Sequence, residues 1–228
     1  MVVLLVLATC IVFITIDFLL HREKYAFKVA EDKPVAEPTE RAMPGPIVAG
    51  VHLPEAPAYH VGHTWALDLG HGRMRVGLDA FAASLLGTIR RIEVPLRGRW
   101  LRQGDRGWTV ATAHGDVQML APVEGEIVTV NEAALRNPEI VTADPYGQGW
   151  LAELFSPDVP VSFRNLLSGA FARRWMEESM AELRAAFSPT VPVTALDGGT
   201  LLPRVGDELT PEQWRELVLR FFRSWEGW

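Results

Sequence analysis

Three kinds of hydrophobic pattern follow one another along the chain. Val2 to Leu20 is an almost unbroken apolar run holding one charge, Asp17. At about 1.5 Å of rise per residue, a helix of that length spans a hydrocarbon core of roughly 30 Å. From Glu31 to about His60 periodicity is lost and proline recurs at positions 34, 38, 44, 46, 54 and 57. Proline removes backbone donors and favours extended chain. This stretch is expected to be a tether, or a strap lying on a partner. From His63 to Leu154 apolar and polar positions alternate in short pieces divided by glycine. Trp65–Leu67, Met74–Leu78, Ile89–Val94, Trp108–Ala113, Met119–Pro122 and Gly125–Val130 read as strands. Asp79–Leu86 reads as a short helix. Many short strands with glycine turns predict a small barrel or sandwich.

After Pro157 the period becomes helical. Ser168 to Phe187 sets Phe171, Trp175, Met176, Met180, Leu183 and Phe187 on one face. A connector runs from Ser188 to Glu208. The last helix has a defined start, with Thr210 as N-cap, Pro211 at the first position and Gln213 completing a capping box. Trp214, Leu217, Val218, Phe221 and Phe222 then follow the i, i+3, i+4, i+7, i+8 rule. Trp214, Leu217, Phe221, Phe222, Trp225 and Trp228 are therefore the partner-binding candidates, since aromatics are enriched at interface hot spots. The same face could instead pack on the barrel or the preceding helix, or lie on a membrane surface. Four regions result: an anchor with its flank (1–30), a proline-rich linker (31–61), a β domain (62–156) and a helical extension (157–228).

Charge and chemistry narrow the function. The net charge of −6 excludes a general nucleic-acid binder. The single cysteine, Cys10, allows neither an intrachain disulfide nor a CxxC metal site. Arg22, Lys24 and Lys28 follow the apolar run and no basic residue precedes it. The positive-inside rule then puts the N-terminus outside and the main domain in the cytoplasm, as in a single-pass protein of a bacterial-type inner membrane. Asp17 lies within a turn of the cytoplasmic end, with His21 four residues on, and reads as a hydrated carboxylate near the interface. The Gly-x-Gly pairs at 70–72 and 147–149 lack the strand-to-helix setting of a phosphate loop. No nucleophile elbow or catalytic triad stands out, so no enzyme activity is expected.

One ordered set of motifs carries a resemblance. His63-Thr64-Trp65, Val76-Gly77-Leu78, Leu85-Leu86-Gly87-Thr88-Ile89 and Glu93-Val94-Pro95 come first. Ala121-Pro122-Val123-Glu124-Gly125-Glu126-Ile127-Val128 and Val130-Asn131-Glu132 follow. Asn137-Pro138, Ile140-Val141 and Asp144-Pro145-Tyr146-Gly147-Gln148-Gly149-Trp150-Leu151 complete the set. In order and spacing, residues 63–154 resemble the H protein of the glycine cleavage system. The resemblance implies the barrel-sandwich hybrid fold of lipoyl and biotinyl carrier domains: a mainly β domain, here with a transmembrane helix before it and α-helices after it. It also implies a lipoyl-bearing lysine at a hairpin tip, seven residues before the alanine of Ala-Pro-Val, whose dithiolane arm visits several enzymes. Here that position is His114, within Ala111-Thr112-Ala113-His114-Gly115-Asp116, and no lysine follows Lys33. Imidazole forms no stable amide with lipoate, so no cofactor and no metal is expected.

A scaffold that keeps its fold but loses its attachment residue, joined to an apolar anchor, leads to a functional expectation. The chain would be a non-catalytic, non-lipoylated docking subunit of a membrane-bound complex, with a respiratory or electron-transfer assembly as the candidate. Its partners would be the other subunits and, through residues 2–20, the bilayer. The alternatives are a carrier serving a membrane oxidoreductase, and a metal or acid–base site at His114.

Overall fold

The structure is a computed structural model that describes residues 43–187, 196–197, 200–201 and 203–222. The apolar run Val2–Leu20 and the tryptophans Trp225 and Trp228 lie outside the described residues.

Two antiparallel sheets form the body. Six strands make the larger one: β3 (Ala58–His60), β4 (Thr64–Gly70), β5 (Arg73–Leu78), β11 (Ala152–Phe155), β10 (Gly125–Val130) and β7 (Trp100–Leu101), in that spatial order. The smaller has the order β6 (Ile89–Glu93), β8 (Arg106–Thr112), β9 (Asp116–Leu120). Alternation along these strands sends Trp65, Met74, Val76 and Leu78 inward from one sheet and Trp108, Val110, Val117 and Met119 from the other. The register shifts between Asp68 and Gly70, and again between Ile127 and Thr129, where the larger sheet bends. The Thr64 hydroxyl donates to Leu120 O across the sheets at 3.0 Å.

The motifs of the sequence mark the joints of this fold. Asp79 caps α1 (Ala80–Leu86), its Oδ1 accepting from the Ala82 N–H at 2.7 Å. Gly77 stands where any side chain would meet the Trp65 ring at 2.8 Å. Asn131 caps α2 (Glu132–Arg136), and its amide donates to Gln148 O and Trp150 O at 2.8 Å each. After α3 (Glu139–Ala143), the Asp144 carboxylate accepts from the Gly147 and Gln148 N–H groups at 2.9 and 2.8 Å. A Cβ on Gly149 would lie 2.6 Å from Asp144 O, so the turn requires glycine there.

The stretch read as a linker contributes to the body at its C-terminal end. β1 (Ile47–Val48) and β2 (Val51–His52) pair antiparallel, and Val48, Val51, Leu53, Ala58 and Tyr59 are buried. Turns at Ala49-Gly50 and Val61-Gly62, with prolines at 46, 54 and 57 between the pieces, hold them to two or three residues, so no strand period is visible in the sequence.

After α4 (Val159–Phe163), the predicted helix forms as α5 (Gly169–Phe187). Its buried stripe is Ala172, Met176, Ser179, Met180 and Leu183. Phe171, expected on that face, is 76% exposed. Counting back in helical steps from Met180 and Met176 reaches Ala172, which leaves Phe171 on the outer side of the first turn. Beyond the short pair β12 (Leu196–Asp197) and β13 (Thr200–Leu201), the capping box opens α6 (Pro211–Phe222) as predicted. Thr210 N–H donates to Gln213 Oε1 at 3.0 Å, and Gln213 N–H to the Thr210 hydroxyl at 3.3 Å.

Candidate functional site

The hairpin joining β8 and β9 is where the resemblance puts the lipoyl arm. Its register runs from Trp108 opposite Met119 to Ala111 opposite Asp116, which leaves Thr112–Gly115 as the tip. The turn is closed internally. Thr112 N–H and hydroxyl both donate to Gly115 O, at 3.0 and 2.9 Å, and His114 N–H donates to the Thr112 hydroxyl at 3.2 Å. The threonine side chain thereby fixes the loop that presents residue 114.

His114 does not stand free at that tip. Trp214, in the first turn of α6, lies against it with ring centroids 5.5 Å apart. The same indole comes within 3.8 Å of where a Cβ on Gly115 would lie. His114 Nε2 and Trp214 Nε1 are both buried without a hydrogen-bond partner among the described residues.

Four of the partner-binding candidates are interior residues. Trp214, Leu217, Phe221 and Phe222 are each at most 5% exposed. The amphipathic face of α6 is used within this chain, against the hairpin, α1 and α5. Phe221 meets Phe81 edge-on at 5.0 Å. Arg220 pairs with Glu182 of α5. The helical period showed that this face would be covered, and it could not tell an intramolecular cover from a partner.

A second polar constellation, not predicted as a site, lies inside. His63 Nδ1 is 2.9 Å from Asp79 Oδ2, and both residues are buried. The imidazole lies between Phe81, stacked at 4.1 Å, and Trp175 at 4.6 Å, with Phe221 and Phe222 edge-on at 6.0 and 6.1 Å. His63 adopts φ 59°, a conformation that costs a non-glycine residue roughly 1–2 kcal/mol. Backbone bonds hold it there: His63 N–H to His60 O at 3.0 Å and Asp79 N–H to His63 O at 3.2 Å. Nearby, Tyr146 donates to His52 O at 3.0 Å and accepts from the Ala80 N–H at 3.1 Å. Tyr59 donates to Pro54 O at 2.7 Å. Burial, and then the charge of Asp79, push both phenols above their ordinary range, so neither ionises near neutrality. This assembly joins β4, α1, α5 and α6. Its signal in the sequence was the His63-Thr64-Trp65 motif, whose indole donates to Leu78 O at 2.8 Å.

The remaining ionic cluster is also structural. Glu153, 4% exposed, takes Arg75 Nη2 at 2.7 Å on one carboxylate oxygen and Arg73 on the other. The Arg75 guanidinium lies 4.7 Å over the Trp150 ring. Among the described residues no group of three His, Cys, Asp or Glu side chains is placed to hold a metal ion.

Lipoate is the group this fold implies, and the residues at the tip do not fit it. His114 supplies no primary amine, and Trp214 covers the position an arm would leave from.

Two curled antiparallel sheets with a hairpin presented at one end define the class: a lipoyl-carrier-type β domain extended by C-terminal helices. Comparison with known proteins carries this to a family. The family model for the glycine cleavage H-protein matches residues 58–179. A glycine cleavage system H protein from Laribacter hongkongensis is 36% identical over 119 residues, covering 52% of this chain and 93% of that protein. One from Thermosynechococcus vestitus is 36% identical over 126 residues, covering 55% of this chain and 96% of that protein. A solved glycine cleavage system H protein from Mycobacterium marinum shares 25% identity, covers 58% of this chain and 99% of its own, and has a TM-score of 0.48. The chain belongs to the glycine cleavage H-protein family.

That membership corrects the functional expectation. The membrane-bound respiratory or electron-transfer complex, its subunits as partners, and the carrier for a membrane oxidoreductase are overturned by it. About half of this chain matches nearly the full length of proteins named for the glycine cleavage system, 93% of one and 96% of another. The bilayer as partner and the inner-membrane location fall with it. Among the described residues no helix is long and apolar enough to cross a membrane.

Proposed function

We propose that this chain is a non-catalytic component of a glycine cleavage system that engages the system's enzymes through its H-protein scaffold and presents no lipoyl arm. The family match over residues 58–179 supports the first clause. The observation that carries the second is His114 at the hairpin tip with the Trp214 ring 5.5 Å from it. A scaffold that offers the carrier's shape without its reactive dithiol competes for the carrier's place on an enzyme.

The test is a reconstituted glycine cleavage reaction driven by an authentic lipoylated H protein, with this full chain added in excess. The expected result is a loss of rate that grows with the ratio of this chain to the H protein and is reversed by more H protein. An unchanged rate at roughly tenfold excess rejects docking on these enzymes. Intact-mass analysis of the chain co-expressed with a lipoylation system is expected to show no lipoyl adduct, and an adduct rejects the second clause.

A further inference from the structure

The segment that enters the edge strand of the larger sheet has a character unlike the rest of the molecule. Leu96-Arg97-Gly98-Arg99-Trp100-Leu101-Arg102 holds three arginines and no acidic residue in a chain of net charge −6. It is held rigidly: Gly98 N–H donates to Ile127 O at 2.8 Å, Ile127 N–H to Arg99 O at 2.9 Å, and β7 pairs with β10. Only Leu101 turns inward. Leu96 is 84% exposed and Trp100 44%, and Arg97, Arg99 and Arg102 are all exposed.

Three acidic residues lie beside it. Glu93 pairs with Arg91 at 3.0 Å. Asp105 accepts the backbone N–H of Arg102 at 2.9 Å. Glu126 faces Trp100 across the strand pair, with its Oε1 4.0 Å from where a Cβ on Gly98 would lie. Arg97, Arg99 and Arg102 make no ion pair among the described residues. The segment thus offers an exposed leucine and an exposed tryptophan interspersed along the chain with three exposed arginines that form no ion pair among the described residues, on a hydrogen-bonded backbone. A protein surface with an apolar centre and carboxylates around it complements both features, and tryptophan and arginine are the residues that concentrate binding energy at such contacts. A nucleic-acid duplex would leave Leu96 without an apolar partner.

We propose that residues 96–102 form the docking surface of this chain for an acidic protein partner. Resting on the functional reading above, that partner is an enzyme of the glycine cleavage system. Arg97, Arg99 and Arg102 steer and orient the encounter, and Leu96 and Trp100 fill the contact.

The experiment repeats the competition assay with R97E/R99E/R102E and, separately, L96S/W100S in the full chain, each checked for native near-ultraviolet circular dichroism. The expected result is inhibition by the unaltered chain that weakens as salt is raised. The charge-reversed chain should lose inhibitory potency by roughly tenfold or more, with a similar loss for the apolar variant. Equal potency of the charge-reversed and unaltered chains overturns the docking surface and leaves the functional reading standing. No inhibition by the unaltered chain removes the functional reading and this partner together. Binding to phosphatidylserine vesicles or duplex DNA as strong as to the enzymes, and lost in the charge-reversed chain, overturns the assignment to a protein. Arginine-dependent self-association in sedimentation makes a second copy the occupant and overturns it likewise.

Discussion

Single residues in this fold settle which groups can take part in chemistry. Tyr59 and Tyr146 are held by hydrogen bonds to Pro54 O and His52 O, and burial with the charge of Asp79 raises both phenols above their ordinary range. A folded-state value above the unfolded one gives stability that is complete below about pH 10 and is lost as pH rises through the folded values. Absorbance titration of tyrosinate is therefore expected to show two of the three tyrosines silent near pH 10, ionising only as the chain unfolds at higher pH. Reversible ionisation of all three near pH 10, with the fold intact, would contradict the burial. His63 and Asp79 make the same point by contact. A buried histidine beside a carboxylate looks catalytic in isolation, yet its ring is walled by Phe81, Trp175, Phe221 and Phe222. Its partner's other oxygen is already capping α1.

At the scale of elements, α6 decides what the hairpin can do. Trp214 contributes an apolar surface that Trp214→Ala would remove, at a cost of about 3–5 kcal/mol in chemical denaturation. The same change uncovers the tip. His114→Lys alone restores the amine but leaves it under the indole. A bacterial lipoate ligase is expected to modify His114→Lys slowly and His114→Lys/Trp214→Ala several-fold faster, read by intact mass. Equal rates for the two would show that α6 is no barrier. The sequence made each half of this arrangement legible and not their union. The capping box of Thr210 and Gln213 and the period from Trp214 to Phe222 located the helix, and counting back from Ala121 located His114. That one packs on the other is a long-range contact between residues 100 positions apart, and no local pattern encodes it. The first strands were hidden for a different reason. β1 and β2 have two residues each, too few to display an alternation, and the prolines around them read as a tether. The motifs of residues 63–154 were legible because they are the joints of the fold: a cap at Asp79, a close approach at Gly77, a turn closed by Asp144.

On the scale of the whole molecule, the C-terminal helices and the barrel share one interior. Asp207 takes the N–H and the hydroxyl of Thr88, both at 2.7 Å. A Cβ on Gly206 would lie 2.2 Å from Leu85 O, so the chain before α6 lies directly on the end of α1. Phe221 and Phe222 then close over His63. The family match ends at residue 179, so this closure joins the barrel to a segment beyond the part that matches. A helical segment that were merely appended would melt by itself, because its few apolar contacts would give it a low local unfolding energy. Here loss of α6 would expose His63, Phe81 and the hairpin tip together, which ties its stability to that of the barrel. Tryptophan fluorescence, which reports Trp65 and Trp108 in the barrel as well as Trp175 and Trp214 in the helices, should therefore follow the same denaturant transition as far-ultraviolet circular dichroism. Two separated transitions, the earlier removing helical signal alone, would show that the helices fold apart and that the cover over His114 opens without unfolding the carrier scaffold.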